Sequence, residues 1–213
     1  MIRAYQETYL DNAQRAIGDI FDYAVNSCGF SGENIIKLFI TSTASKKIEN
    51  GEPSYISGKS GIELLIEIVE ETTGGKIFIE PREQYSRSSE YWIGWAVAYY
   101  QWHSNRKFKD IFKVFSFEEL QKMYYTLHEA DISKFTYIID ERIKEAFPDT
   151  NLKRIRIAYG CTQAELSKSS GVSLRSIQMY EQRNKDINKA SVDTVYRLAK
   201  SLGCSVENLI EPQ

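Results

Sequence analysis

Two short helices held together by one glycine constrain this chain more than any other feature of it. Thr162-Gln163-Ala164-Glu165 is a box in which the threonine hydroxyl meets the Glu165 amide and the glutamate carboxylate returns to the Thr162 amide. It opens a helix of about two turns whose buried side includes Leu166. Gly171 follows, a residue suited to the positive φ that ends a short helix and turns the chain sharply. Val172 plugs that turn, and Ser173 caps the next helix, Leu174 to Glu181, which buries Ile177 and Tyr180. Upstream, Leu152 and Ile155 mark the inner side of another helix, with Lys153, Arg154 and Arg156 on the other side. Beyond a polar loop, Ser191 caps a helix that runs to Leu202 and stops at Gly203, and Ser205 to Ile210 forms a last turn.

Two capped helices joined by a glycine turn, inside a five-helix cluster, are a helix-turn-helix arrangement. On Leu152-x-x-Ile155, Thr162 to Leu166, Gly171-Val172-Ser173, Ser176-Ile177, Tyr180-Glu181 and Leu198-Ala199-x-x-Leu202-Gly203-Cys204-Ser205-Val206, the segment resembles the DNA-binding domains of the phage lambda repressor and Cro class, the XRE type. The resemblance implies the role of each residue. Gln163 meets a phosphate through its amide and the helix N-terminus. Leu174, Arg175, Gln178 and Met179 face base edges, with Arg175 suited to guanine and Gln178 to adenine. Ser176, Gln182, Arg183, Lys185 and Lys189 suit the DNA backbone, and Ser173 lies among them at the start of the recognition helix. Glu181 is expected to form a salt bridge inside the domain. The chain departs from the pattern at Ser167, where a small apolar residue is usual and helix packing is expected to loosen. It departs again at Gln182-Arg183-Asn184, where an Asn/Arg-Gly pair is common. Cys161 and Cys204 stand where apolar residues are usual and read as small core hydrophobes.

Charge divides the chain in the same way. Residues 1–148 carry 17 Lys/Arg against 22 Asp/Glu, whereas residues 150–206 carry 10 against 4. A basic module joined to an acidic body fits nucleic-acid binding by one part only. Pro148 stands at the crossing, so the boundary is placed there: a helical domain at 1–148 and a DNA-binding domain at 149–213.

The first part also reads as helical, so the fold class is all-α. Apolar residues recur every three to four positions from Ile2 to Cys28, a second helix opens at Ser31, and a third spans Ala44 to Glu49. A loop is expected from Pro53 to Gly61, then a helix from Ile62 that stops at Gly74-Gly75. Lys76 to Glu80 reads as an isolated strand without a partner. Ser89 to His103 is apolar nearly all round and belongs in the middle of the domain, with Trp92, Trp95, Tyr99 and Trp102 as core. Two more helices are expected, Ser116 to Leu127 and Asp131 to Ala146. The stretch Ile48-Glu49 to Ile68 echoes Tyr180-Glu181 to Leu198, so a degenerate second helix-turn-helix is open. The first part as a whole resembles a helical module of bacterial regulators, a likeness that supplies no activity.

Three distant cysteines (Cys28, Cys161, Cys204) and two histidines (His103, His128) offer neither a disulfide framework nor a metal site. No run approaches the roughly 18 uncharged apolar residues of a membrane span, and no signal layout opens the chain, so a cytoplasmic protein is expected. Nucleophile elbows, phosphate-binding glycine loops and cofactor fingerprints are missing, so neither an enzyme nor a cofactor is expected. Two function classes remain. The first is a sequence-specific regulator of transcription, a repressor that binds double-stranded DNA as a homodimer and whose N-terminal helices dimerise or sense a signal. The other is an antitoxin that represses its operon and masks a toxin with its acidic domain. The long N-terminal helices are expected to carry the dimer contact, because they have apolar stripes and a surplus of aromatics while the regular apolar positions of the DNA domain are already used internally.

Overall fold

The computed structural model describes residues 3–76, 79–81, 87–146 and 149–211, and these contain helices and no strand. Pro148 lies outside the described residues, as do Ile77 and Phe78 of the expected strand. The chain divides into two compact units, Met1–Ile143 and Lys144–Gln213.

In the first unit a short 3-10 turn, Glu7–Tyr9, leads into α1 (Leu10–Asp22). A π-turn at Tyr23–Ser27 then closes what the periodicity reads as a single helix. Helix α2 (Gly32–Thr41) is capped by Ser31 and α3 (Thr43–Glu49) by Ser42. Where a loop is expected, Pro53 supplies the preset φ of a first helical position and opens a single turn, α4 (Pro53–Ile56). A capping box of Ser60 and Glu63 starts α5 (Gly61–Thr73), which ends on Gly74 at φ +70°.

Ser88 caps α6 (Ser89–Ser104), the middle helix of this unit. Its all-round apolar surface follows from its neighbours: α1 lies along it, with α7 (Phe108–Val114) and α8 (Phe117–Leu127) also against it. Helix α7 has no counterpart in the sequence reading, although Phe108 and Ile111 are both fully buried. Last comes α9 (Ile132–Ala146), whose first turn is closed by Asp131 accepting from Ser133 N at 2.8 Å. Tyr100 ties α6 to it by donating to Asp140 at 2.6 Å, while Trp92 packs edge-on against Phe135 at 5.5 Å. Trp92 and Trp102 are core as expected, whereas Trp95 and Tyr99 are half-buried.

The second unit comprises α10 (Asn151–Tyr159), α11 (Gln163–Ser170), α12 (Leu174–Glu181), α13 (Val192–Leu202) and α14 (Val206–Leu209). Side chains from all five helices and the two connecting loops form one core, from Leu152 through Leu166, Val172, Ile177 and Leu198 to Leu209.

Candidate nucleic-acid interface

Local hydrogen bonds shape the α11–α12 pair. Thr162 Oγ1 accepts from Glu165 N at 3.2 Å, and Glu165 Oε2 accepts from Thr162 N at 2.7 Å. These bonds hold the Glu165 carboxyl below its ordinary range. Gly171 takes φ +68° and Ser173 caps α12 by accepting from Ser176 N at 3.1 Å. Ser167 does not loosen the pair. Its hydroxyl donates to Val172 O at 2.8 Å and fastens the turn, while Ser170 donates to Leu166 O at 2.6 Å.

Beneath the pair lies a buried ion pair. Arg156 Nε and Nη2 donate to the two oxygens of Glu181 at 2.6 and 2.9 Å, and Nη1 donates to Cys161 O at 2.7 Å. The side chains are 11% and 2% exposed. Glu181 is therefore internal as expected, but Arg156 is not on the outer basic side with Lys153 and Arg154. Its methylenes and planar fork reach inward, and the charge is met there by a bidentate carboxylate. Glu181 holds the guanidinium above its ordinary pKa. Gln163 joins the same cluster, donating from Nε2 to Glu181 at 2.7 Å, so its side chain is directed at the protein. The amide expected to meet a phosphate is held instead by this internal carboxylate.

The outer side of α12 is open. Leu174 and Arg175 are exposed, Ser173 is exposed at the cap, and Ser176, Gln178, Met179 and Gln182 are half-buried. Gln178 Oε1 is shielded from solvent and has no hydrogen-bond partner. Lys185 and Lys189 are exposed beyond the helix, Lys189 lying 3.9 Å from Asp186. Arg183 has φ +58°, so the loop keeps the left-handed turn that glycine favours and fills it with a cation.

Arg183 also reveals a staple that the sequence reading missed. Its Nη2 donates to Glu211 Oε2 at 3.1 Å, and Glu211 Oε1 accepts from Asn151 N at 2.6 Å. The Glu211 backbone is paired with the Asn188 side chain at 2.9 and 2.8 Å. One residue thus joins the start of α10 to the loop behind the recognition helix, across about sixty positions of sequence that no local pattern bridges.

Three further expectations meet the structure here. Cys161 and Cys204 are half-buried against the core, and burial pushes the Cys204 thiol up, away from reactive thiolate. The domain does have spare apolar surface: Ile157, Tyr159, Val192 and Tyr196 are exposed, which removes one of the two reasons for assigning the dimer contact to the N-terminal helices. The echo around α3 differs from α12 at its N-terminus. Glu71 accepts there from Thr43 N at 2.8 Å and Thr43 Oγ1 at 2.6 Å, placing a carboxylate where a recognition helix would receive DNA.

Among the described residues no cluster of His, Cys, Asp or Glu could hold a metal ion, and no helix is long and apolar enough to cross a membrane. Residues 152–209 match the helix-turn-helix family model. Comparison with curated proteins and with solved structures returns no match. The second unit is therefore a helix-turn-helix domain of the lambda repressor and Cro type, the type of DNA-binding regulators.

Proposed function

We propose that this chain is a sequence-specific repressor that binds double-stranded DNA as a homodimer, with α12 in the major groove. One observation carries the reading: α12 leaves Arg175 exposed on a helix whose other side is locked into the core, within a matched helix-turn-helix domain. Arg175 has the fork geometry that reads guanine. Gln178 suits adenine, and moving out to a base edge would give its shielded Oε1 or its amide a partner. Arg183, Lys185 and Lys189 follow as backbone contacts, with the DNA phosphates competing against Glu211 for Arg183.

Selection from a random DNA pool supplies the operator, after which four variants divide the roles. Arg175→Ala and Gln178→Ala are each expected to lose about 1–3 kcal/mol at the operator and to relax preference at one base pair. Lys185→Ala is expected to weaken operator and random DNA alike and to lower the salt slope by roughly one. Arg183→Gly separates folding from binding, because glycine suits the left-handed turn. Stability should hold within about 1 kcal/mol while affinity falls for every sequence. Unchanged discrimination in Arg175→Ala and Gln178→Ala together would reject base reading by α12.

A single module buries roughly 600–1,000 Å² of its own surface on DNA, which favours two copies on a palindrome with centres about 34 Å apart. Sedimentation of the full chain with and without operator tests this. A monomer at micromolar concentration that binds the palindrome one copy at a time overturns it.

A further inference from the structure

The first unit contains a cavity of about 470 Å³, framed by the start of α6, the end of α8 and the start of α9. Its wall is aromatic. Tyr91, Trp92 and Trp95 come from α6, Tyr124 from α8 and His128 from the residue that ends it. These rings brace one another: Trp92 meets Tyr124 edge-on at 5.8 Å, and Tyr124 stacks on His128 at 4.5 Å. The Tyr124 carbonyl also holds His128 Nδ1 at 2.8 Å. A wall fixed in this way is formed before any ligand arrives, and the volume lies within the range of small-molecule sites.

Charge selects the ligand. Arg87 lies over the Tyr91 ring, 4.0 Å from its centre, and is two-thirds exposed. Its ion pair with Asp19 is long, at 3.5 Å. Among the described lining residues no carboxylate is present and Arg87 is the one permanent charge. Aromatic cages commonly hold cations, but here a guanidinium already covers one ring, and the nearest acids, Asp19 beside Arg87 and Glu129 3.7 Å from His128 Nε2, stand outside the lining. An anion with a flat apolar body satisfies both parts of the wall.

We propose that this cavity binds an aromatic carboxylate, its rings against Trp92, Trp95 and Tyr124 and its carboxylate on Arg87. The site belongs to the first unit, so it stands or falls without reference to DNA binding. Calorimetric titration of the full chain with 1-naphthoate tests it, alongside 1-naphthylmethanol and 1-naphthylmethylammonium, which keep the ring system and change the charge. Naphthoate should bind at one site per chain, at least about tenfold more tightly than either analogue, since both lack the charge-assisted bond. Arg87→Gln, a change at an exposed position, should abolish that preference while the neutral alcohol binds as before. The proposal is overturned if naphthoate fails to bind at about 1 mM. Equal or tighter binding of the alcohol or the ammonium overturns it too, as does a preference for naphthoate that survives in Arg87→Gln.

Discussion

Arg156→Ala is expected to cost the second unit about 3–5 kcal/mol, a large part of what a domain of this size has. The loss comes from the partner left behind. Glu181 is 2% exposed and would keep its charge with only the Gln163 amide to meet it. Replacing both members by apolar residues, as in Arg156→Met with Glu181→Leu, should recover most of the loss, because no buried charge remains. The chain offers a convenient readout. All three tryptophans lie in the first unit, so their fluorescence reports that unit, while far-UV circular dichroism reports both. Urea unfolding of Arg156→Ala should advance part of the circular dichroism transition and leave the fluorescence transition in place. A variant as stable as the parent would show that the pair contributes little.

Why Arg156 escaped the sequence reading is instructive. A basic residue on a short helix reads as solvated, and its partner lies 25 positions away on another helix. What was legible is local. The boxes and caps at Thr162–Glu165, Ser173–Ser176 and Ser191–Thr194 each close within three residues, so residue order alone specifies them. Gly171 likewise declares its own turn. Exposure of Leu174 and Arg175 then follows from helical spacing, once Ile177 and Tyr180 are known to face inward. The Glu211 staple and the inward turn of Gln163 depend on tertiary contact and leave no local pattern. In the first unit the same division holds. Caps at Ser31 and Ser116 are readable, but the Ser60 box, the π-turn after α1 and the short α7 are not. Helix α7 lies in a stretch dense with lysine, where only two apolar positions, Phe108 and Ile111, are fully buried.

Gly94→Ala is expected to destabilise the first unit by about 1–3 kcal/mol, and Gly94→Val by more. Helix propensity alone gives the opposite sign, since alanine inside a helix is favoured over glycine by roughly 1 kcal/mol. Packing decides the matter. A Cβ at Gly94 would collide with the Ile17 carbonyl oxygen and stand 2.8 Å from Ile17 C and 2.9 Å from Gly18 Cα, all of it backbone of α1. No side-chain rotation can relieve that contact, so α1 and α6 must separate. Separation would open the layer that Ile17, Ile20, Ile93 and Val97 close, each of them fully buried. A second glycine has the same role on α1: a Cβ at Gly18 would lie 2.7 Å from the Tyr91 ring. The ring can yield where backbone cannot, so Gly18→Ala should cost less than Gly94→Ala. Urea unfolding followed by tryptophan fluorescence measures both changes on the unit concerned, and a stabilised Gly94→Ala would refute the close crossing of α1 and α6.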